Sequence, residues 1–299
     1  MSSNDHHQNP IKGNRLLAAT VLNIIISVAE IAGGLISNSL SLISDALHNL
    51  SDGLAIFIAW IANMISKKPS DSKRTFGYKR IEILAAFFNA LILIAVSLYL
   101  FYEAFLRIID PEPVKGLIML VVATIGLLAN LAAVFLLHAD SKQNLNVKAA
   151  YLHLIGDTLT SVAVIVGGIL IYFFEIFWID PIITILIGLY IIKETWSILK
   201  QTVDILMQGS PAGLDLELIK KDLEQIPEIA NIHHVHIWNL DDQSVHFECH
   251  VDLSENSRIT ETESIYSRIE KLLKEKHHIS HLTIQFEYQR CIDKDMIHS

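Results

Sequence analysis

The stretches Ser44-Asp-Ala-Leu-His48-Asn-Leu-Ser-Asp52 and Tyr151-Leu-His153-Leu-Ile-Gly-Asp157 each place a histidine and an aspartate four residues apart. In an α-helix this spacing puts both side chains on one face. Each stretch lies in an apolar segment long enough to cross a bilayer, where an ionisable residue is costly and indicates function. Hydrogen bonding to a neighbouring helix explains either stretch alone. Together they supply a complete tetrahedral set for Zn²⁺ or a similar ion.

The composition predicts that most of the chain lies in a membrane. Apolar residues make up 52% of 299 residues, charged residues make up 18%, and the mean hydropathy is +0.41, which is high for a water-soluble protein. The net charge of -9 argues against a nucleic-acid partner, because binding phosphates requires a basic patch. The two cysteines, Cys249 and Cys291, form neither a disulfide framework nor a CxxC metal motif.

Hydropathy predicts an N-terminal tail at residues 1–15 and a six-helix transmembrane domain at residues 16–207. The predicted spans are residues 16–36, 40–66, 81–108, 116–138, 147–174 and 180–207. The connector after the second span is rich in lysine and arginine, whereas the turns after the third and fifth spans are acidic. By the positive-inside rule both termini are therefore cytoplasmic. The second and fifth spans then run antiparallel, so the two motifs meet near the middle of the bilayer.

The first and second spans carry further polar residues besides the His and Asp of the motif. Asn23, Ser27 and Glu30 form one stripe on the first span, which either lines a hydrated path or hydrogen-bonds neighbouring helices. Asp45 shares the face of His48 but lies two turns from Asp52. We interpret Asp45 as an outer relay or as a group that supports the metal ligands.

The charges of the predicted site suggest a transport mechanism. Two neutral histidines and two ionised aspartates leave a bound divalent ion with no net charge, which minimises the cost of burying it. Protons are expected to replace the metal, because adjacent carboxylates raise one another's pKa and histidine titrates near physiological pH. The expected cycle is metal–proton antiport by alternating access.

The rival hypotheses are an intramembrane zinc enzyme, a membrane metal sensor and a purely structural zinc site. A hydrolytic zinc normally keeps three protein ligands and an open position for water, and HExxH is absent from the sequence. Structural zinc sites usually use cysteine and lie outside the membrane. Transport is therefore favoured over all three.

Residues 208–299 are predicted to form a separate cytoplasmic α+β domain in the order αββαβ. Asp215 caps the first predicted helix, and Thr260-x-x-Glu263 is a candidate capping box for the second. The predicted strands are residues 232–240, 245–253 and 281–288. The pair His277-His278 suits the negative end of the second helix dipole.

Metal-ligand side chains are unusually frequent on these three strands. They are His233, His234, His236, His246, Glu248, His250, His281, Gln285 and Glu287. A solvated outer face explains any single histidine, whereas the whole set favours a cytoplasmic metal-binding site.

The sequence resembles the cation diffusion facilitator family, and in particular its zinc-exporting bacterial branch. The resemblance rests on the paired HxxxD motifs, Phe76-Gly-Tyr-Lys-Arg-Ile-Glu82, His233-His-Val-His-Ile-Trp238 and His281-Leu-Thr-Ile-Gln-Phe-Glu287. It implies a homodimer in the bacterial inner (plasma) membrane, proton-coupled Zn²⁺ efflux, and a metallochaperone-like cytoplasmic domain that binds metal.

The resemblance also implies a set of ligands. The transport site would be His48, Asp52, His153 and Asp157, and the cytoplasmic site would be His233, His250 and Glu287, with His236 and His281 as additions. Some relatives bind a further ion between spans two and three, and such a site is not expected here because the connector at residues 67–80 offers only Asp71. Some relatives also carry a His-rich loop between spans four and five, whereas residues 139–146 contain no histidine. Histidine at position 48 resembles members that select zinc over cadmium.

Overall fold

Six long helices and a small α+β domain make up a computed structural model of the chain, which describes residues 10–141, 145–242, 244–290 and 295–296. The long helices are α1 (Pro10–Ser37), α2 (Leu40–Ser66), α3 (Ile81–Ile109), α4 (Gly116–Ser141), α5 (Leu145–Phe174) and α6 (Ile179–Leu206). Among the described residues, five helices are long and apolar enough to span a membrane, and α1 contributes the shorter apolar helix Asn23–Ser37. The predicted helical membrane protein is confirmed.

The helix bounds lie close to the predicted spans, with one larger difference at the N-terminus. Helix α1 begins at Pro10, within the predicted tail. Proline suits the first position of a helix, because its missing N–H would have no partner there. Residues 1–9 of the predicted tail lie outside the described part of the chain.

The chain forms two compact units, of which the first comprises the described residues up to Ile61 and Phe88–Leu199. In this unit α4 packs against α5 and α1 packs against α4. Glycine allows the close approach of α4 and α5, since a Cβ on Gly116 would lie 2.8 Å from the backbone nitrogen of Tyr172. Leu42, Met119 and Val164 belong to the apolar core between the helices.

The start of α2 is fixed by a carboxylate from α6. Asp180 accepts hydrogen bonds from the hydroxyls of Ser39 and Ser41, each at 2.6 Å, and from the backbone N–H of Leu40 at 2.7 Å. These contacts satisfy donors that the first turn of a helix leaves without partners. Asp180, in the first turn of α6, therefore caps the start of α2.

The second unit comprises Ala62–Phe87 and the described residues from Lys200 onward. Its further elements are α7 (Leu216–Leu223), β1 (Ile229–Asn239), β2 (Val245–Leu253), α8 (Ile259–His277) and β3 (His281–Glu287). The strand order is β1-β2-β3, with β1 antiparallel and β3 parallel to β2. Ile219, Ile269 and Phe247 belong to one apolar core shared by both helices and the sheet. The predicted αββαβ order is confirmed.

A β-bulge in β1 determines which of its histidine side chains lie on the outer face of the sheet, opposite the core. The register with β2 shifts between His233 and His236, and His234 adopts φ 53°. Before the bulge Ile232 lies in the core, and after it Val235 does. The additional residue interrupts the alternation of side chains, so that His233 and His236 both lie on the outer face of the sheet.

Helix α8 differs from its prediction at its N-terminal end. It begins at Ile259, and the backbone N–H of Arg258 donates to Glu261 Oε2 at 2.7 Å, so Glu261 occupies the place predicted for Glu263. At the other end His277 is buried, and its Nε2 lies 2.8 Å from Asp222 Oδ2. His277 thus lies in the last turn of the helix, as the helix-dipole interpretation expects, and in addition a partner from α7 holds it in the domain interior.

Candidate metal centres

The two HxxxD motifs meet between α2 and α5, and we call His48, Asp52, His153 and Asp157 the intramembrane cluster. One ligand atom from each residue lies within 4.8 Å of all the others. His48 Nε2 is 3.7 Å from Asp52 Oδ2 and 3.6 Å from Asp157 Oδ1. His153 Nε2 is 2.9 Å from Asp52 Oδ2 and 3.8 Å from Asp157 Oδ2.

These distances suit a tetrahedral ion. Zinc bonds of about 2.0–2.1 Å to nitrogen and oxygen require about 3.3 Å between neighbouring ligands of a tetrahedron. The four nitrogen–oxygen distances, 2.9 to 3.8 Å, lie on both sides of that value. Small side-chain movements would therefore bring all four ligands to one ion.

Two members of the intramembrane cluster are buried and have no hydrogen-bond partner among the residues that the structure describes. His48 is 3% exposed and Asp157 is 1% exposed. Both ring nitrogens of His48 and both carboxylate oxygens of Asp157 are unpartnered. A buried carboxylate without a partner destabilises the fold unless a cation or a proton neutralises it. The cost of leaving these groups unsatisfied indicates that they serve a ligand.

Asp45 lies outside the cluster and joins its two helices. Its Oδ1 accepts a 2.6 Å hydrogen bond from the Thr160 hydroxyl, and its Oδ2 accepts one of 3.0 Å from Ser161. The Thr160 hydroxyl also lies 2.8 Å from the Asp157 carbonyl oxygen, so Asp45 is linked to the backbone of a ligand residue. Asp45 thus positions α5 against α2.

Two residues of α6 border the cluster and were not predicted as site residues. The Tyr190 ring lies edge-on to His48, with centroids 6.3 Å apart, and the Tyr190 hydroxyl donates to Glu194 at 2.7 Å. Gly156 makes room for this tyrosine, because a Cβ there would lie 2.5 Å from its hydroxyl oxygen. The i,i+4 spacing of Tyr190 and Glu194 was a signal, but it does not indicate which helix the pair faces.

A second group of metal-ligand side chains lies on the outer face of the sheet, and we call His233, His250 and Glu287 the sheet cluster. His250 Nδ1 is 3.1 Å from Glu287 Oε1, and His233 Nε2 is 3.5 Å from Glu287 Oε2. His233 and His250 are opposite each other in the β1–β2 register. His233 Nδ1 lies 3.2 Å from Asn231 Oδ1, a contact that orients the ring.

Cys249 lies next to His250 in sequence but does not join the sheet cluster. Its side chain belongs to the core on the opposite face of the sheet. Burial, with a smaller contribution from Glu248, raises the pKa of the Cys249 thiol to about 12. The thiol is therefore protonated at neutral pH, whereas a metal ligand must be a thiolate.

The structure does not bring His236 and His281 to the sheet cluster. His236 follows the bulge and pairs with Glu248, farther along the strands. His281 begins β3, opposite His246, and these two rings are 4.5 Å apart. Burial, followed by His281 and Lys79, lowers the pKa of His246. His234 stacks on His250 with ring centroids 4.6 Å apart.

Residues 16–207 match a sequence profile of the cation efflux transmembrane domain, and residues 211–289 match one of the cation efflux protein cytoplasmic domain. This chain belongs to the cation efflux family. The resemblance to cation diffusion facilitators is thereby confirmed, and members of this family are metal cation transporters, not enzymes.

Several bacterial proteins are similar to this chain over nearly its whole length. It is 41% identical to the zinc transporter ZitB of Pectobacterium atrosepticum, over 98% of this chain and 91% of the relative. It is 39% identical to the metal cation efflux system protein CzcD of Cupriavidus metallidurans, over 99% and 93%. It is 38% identical to a cadmium, cobalt and zinc/H(+)-K(+) antiporter of Bacillus subtilis, over 94% and 91%.

Proposed function

We propose that this protein exports Zn²⁺ by exchanging it for protons at the intramembrane cluster. The proposal is carried by one observation, the convergence of two imidazoles and two carboxylates within 4.8 Å inside a helical bundle. Bound Zn²⁺ would leave this site with no net charge, and protons would neutralise it when the metal departs. The helices would open the site alternately to the two sides of the membrane.

Zinc is the proposed substrate because imidazole and carboxylate ligands at tetrahedral distances suit it. One similar protein is named a zinc transporter, and another is named a cadmium, cobalt and zinc/H(+)-K(+) antiporter. Inward proton flow would support export, since moving one elementary charge across 100 mV contributes about 2.3 kcal/mol.

The sheet cluster is proposed to bind Zn²⁺ that regulates transport or stabilises a homodimer. It has three protein ligands, so a fourth position is open to water or to another residue. The profile that matches residues 211–289 is named for a dimer, which supports a second copy of this chain as the partner. The basic connector at residues 67–80 and the bacterial relatives support an inner-membrane protein with cytoplasmic termini.

The test is Zn²⁺ flux into proteoliposomes that contain the full chain, with and without an imposed pH gradient. Asp157→Asn keeps the size of the side chain but removes its charge, so flux is expected to fall to the level of protein-free liposomes. Asp110→Asn is a matched control, because it removes an exposed carboxylate immediately after α3. Normal Zn²⁺ flux in Asp157→Asn would contradict the proposal. Wild-type flux that is the same with and without the pH gradient would contradict it as well.

A further inference from the structure

Glu30 of α1 is a buried carboxylate that the proposed transport site does not use. It is 1% exposed, and neither of its oxygens has a hydrogen-bond partner in the described part of the chain. It faces α4 so closely that a Cβ on Gly126 would overlap Glu30 Oε1. Both features require explanation, because burying a charged carboxylate without a partner strongly destabilises a fold.

The neighbouring polar groups on α1 and α2 are also unsatisfied. Asn49 is 1% exposed, and its side-chain amide interacts with Glu30 without the geometry of a complete hydrogen bond. In the described part of the chain the Ser44 hydroxyl and Asn23 Oδ1 are also buried without a hydrogen-bond partner. The helices themselves are joined here, since Asn23 Nδ2 donates to the Asn49 carbonyl oxygen at 3.3 Å. A well-packed apolar interface would not contain so many unsatisfied polar atoms.

The charges around Glu30 connect it to the intramembrane cluster. Asp45 of α2 and Asp157 of α5 are the charged groups that act on it, and both repel its negative form. From α4 the packed neighbour is Gly126, which has no charge. A cation bound by Asp157 would reduce this repulsion and would favour release of a proton from Glu30.

We propose that the Glu30 carboxyl group carries one of the protons exchanged for the metal ion. Building on the proposed antiport, the carboxyl is protonated when the intramembrane cluster is empty of metal and releases that proton as the cluster binds Zn²⁺. In this step the O–H bond of the carboxyl breaks, its electron pair stays on the carboxylate oxygen, and the proton passes to water. The tight contact with Gly126 leaves that side of the carboxylate no room for a larger cation.

The first test measures protons released when the detergent-solubilised full chain binds Zn²⁺ in a weakly buffered solution. Glu30→Gln keeps the shape of the side chain but has no proton to release, so the ratio of protons to bound Zn²⁺ is expected to fall by about one. Glu30→Asp, which keeps the carboxyl, should retain the release. The matched control is Glu103→Gln on α3, where the carboxylate lies 3.6 Å from Arg107.

The number of Zn²⁺ ions bound per chain is measured in the same samples. Retained binding by Glu30→Gln shows that the variant is folded and that the change lies in proton release. An unchanged proton ratio in Glu30→Gln, or an equal loss in Glu103→Gln, would overturn the assignment of Glu30. Failure of the antiport itself would be seen differently, as wild-type protein that moves Zn²⁺ without responding to the pH gradient.

Discussion

The intramembrane cluster and the sheet cluster use similar ligands in different surroundings. Both combine two histidines with carboxylate, but the first has two carboxylates and the second has one. The first is assembled from i,i+4 pairs on two helices, and the second from facing residues of adjacent strands. Charge balance is thus complete for a divalent ion in the membrane and incomplete in the domain outside it.

Both clusters are buried, since His233 and Glu287 are about as little exposed as His48 and Asp157. A residual charge nevertheless costs more inside a bilayer than inside a domain that water surrounds. In the proposed antiport, the intramembrane cluster is emptied during each cycle and needs groups that accept protons in place of the metal. The role proposed for the sheet cluster has no such requirement, so three ligands and an open position would suffice there.

The largest expected difference between the clusters comes from neutralising one carboxylate in each. Asp52→Asn should lower the zinc affinity of the intramembrane cluster by at least about 100-fold, since even outer partners of ligands contribute 10–100-fold. Glu287→Gln should remove zinc from the sheet cluster but leave measurable gradient-driven flux, because coupling between two sites typically changes affinity by about 5–150-fold. Equilibrium zinc binding and liposome flux measure the two effects. Equal loss of flux in both variants would contradict the separation of roles.

A smaller effect is expected from the groups that position the ligands. Thr160→Val removes the 2.6 Å hydrogen bond to Asp45 but keeps the branched shape of the side chain. Leaving a buried acceptor without its donor costs about 1–3 kcal/mol, so zinc affinity should fall about tenfold. Thr158→Val is the control, because the Thr158 hydroxyl donates to the Leu154 carbonyl within its own helix. Similar affinities of the two variants would show that Asp45 does not support the cluster.

The smallest expected effect is on the stability of the domain that carries the sheet cluster. Lys276 and then His277 hydrogen-bond Asp222 and hold the pKa of this carboxyl below its ordinary value. Because the folded pKa is the lower one, these contacts stabilise the fold fully above the ordinary pKa of about 4, and the stabilisation is lost as the pH falls below it. Asp222→Asn should therefore lower the melting temperature at pH 7 and weaken its dependence on acid.

Calorimetry of the full chain in detergent between pH 7 and pH 3 tests this expectation. Glu275→Gln serves as the control, since Glu275 is exposed on the same helix. An Asp222→Asn profile that parallels the wild type down to the lowest pH would show that this contact does not contribute to acid sensitivity.

The sequence predicted the helical architecture well, because lipid imposes a simple rule on each span. A transmembrane helix must satisfy its own backbone and present apolar side chains, so hydropathy identified α2 with the bounds that the structure has. The i,i+4 spacing of His48 and Asp52 likewise predicted which side chains share a face. These are local properties that one segment contains by itself.

Other features depend on contacts between distant segments and could not be predicted. The bulge at His234 decides which histidines of β1 face outward, and nothing in the pattern of three nearby histidines locates it. Asp180 caps α2 across 140 residues, and Asp222 pairs with His277 across 55 residues. Each of these partners becomes identifiable only when the packing of the elements is known.

The cap that Asp180 places on α2 also has a mechanical meaning. A helix of 27 residues is about 40 Å long, and this one is tied to other helices at both ends. At its far end Asn63 and Ser66 donate hydrogen bonds to Glu82 of α3, at 3.3 and 2.7 Å. A helix tied in this way cannot tilt without breaking a polar contact at one end, so α2 holds His48 and Asp52 between two fixed points.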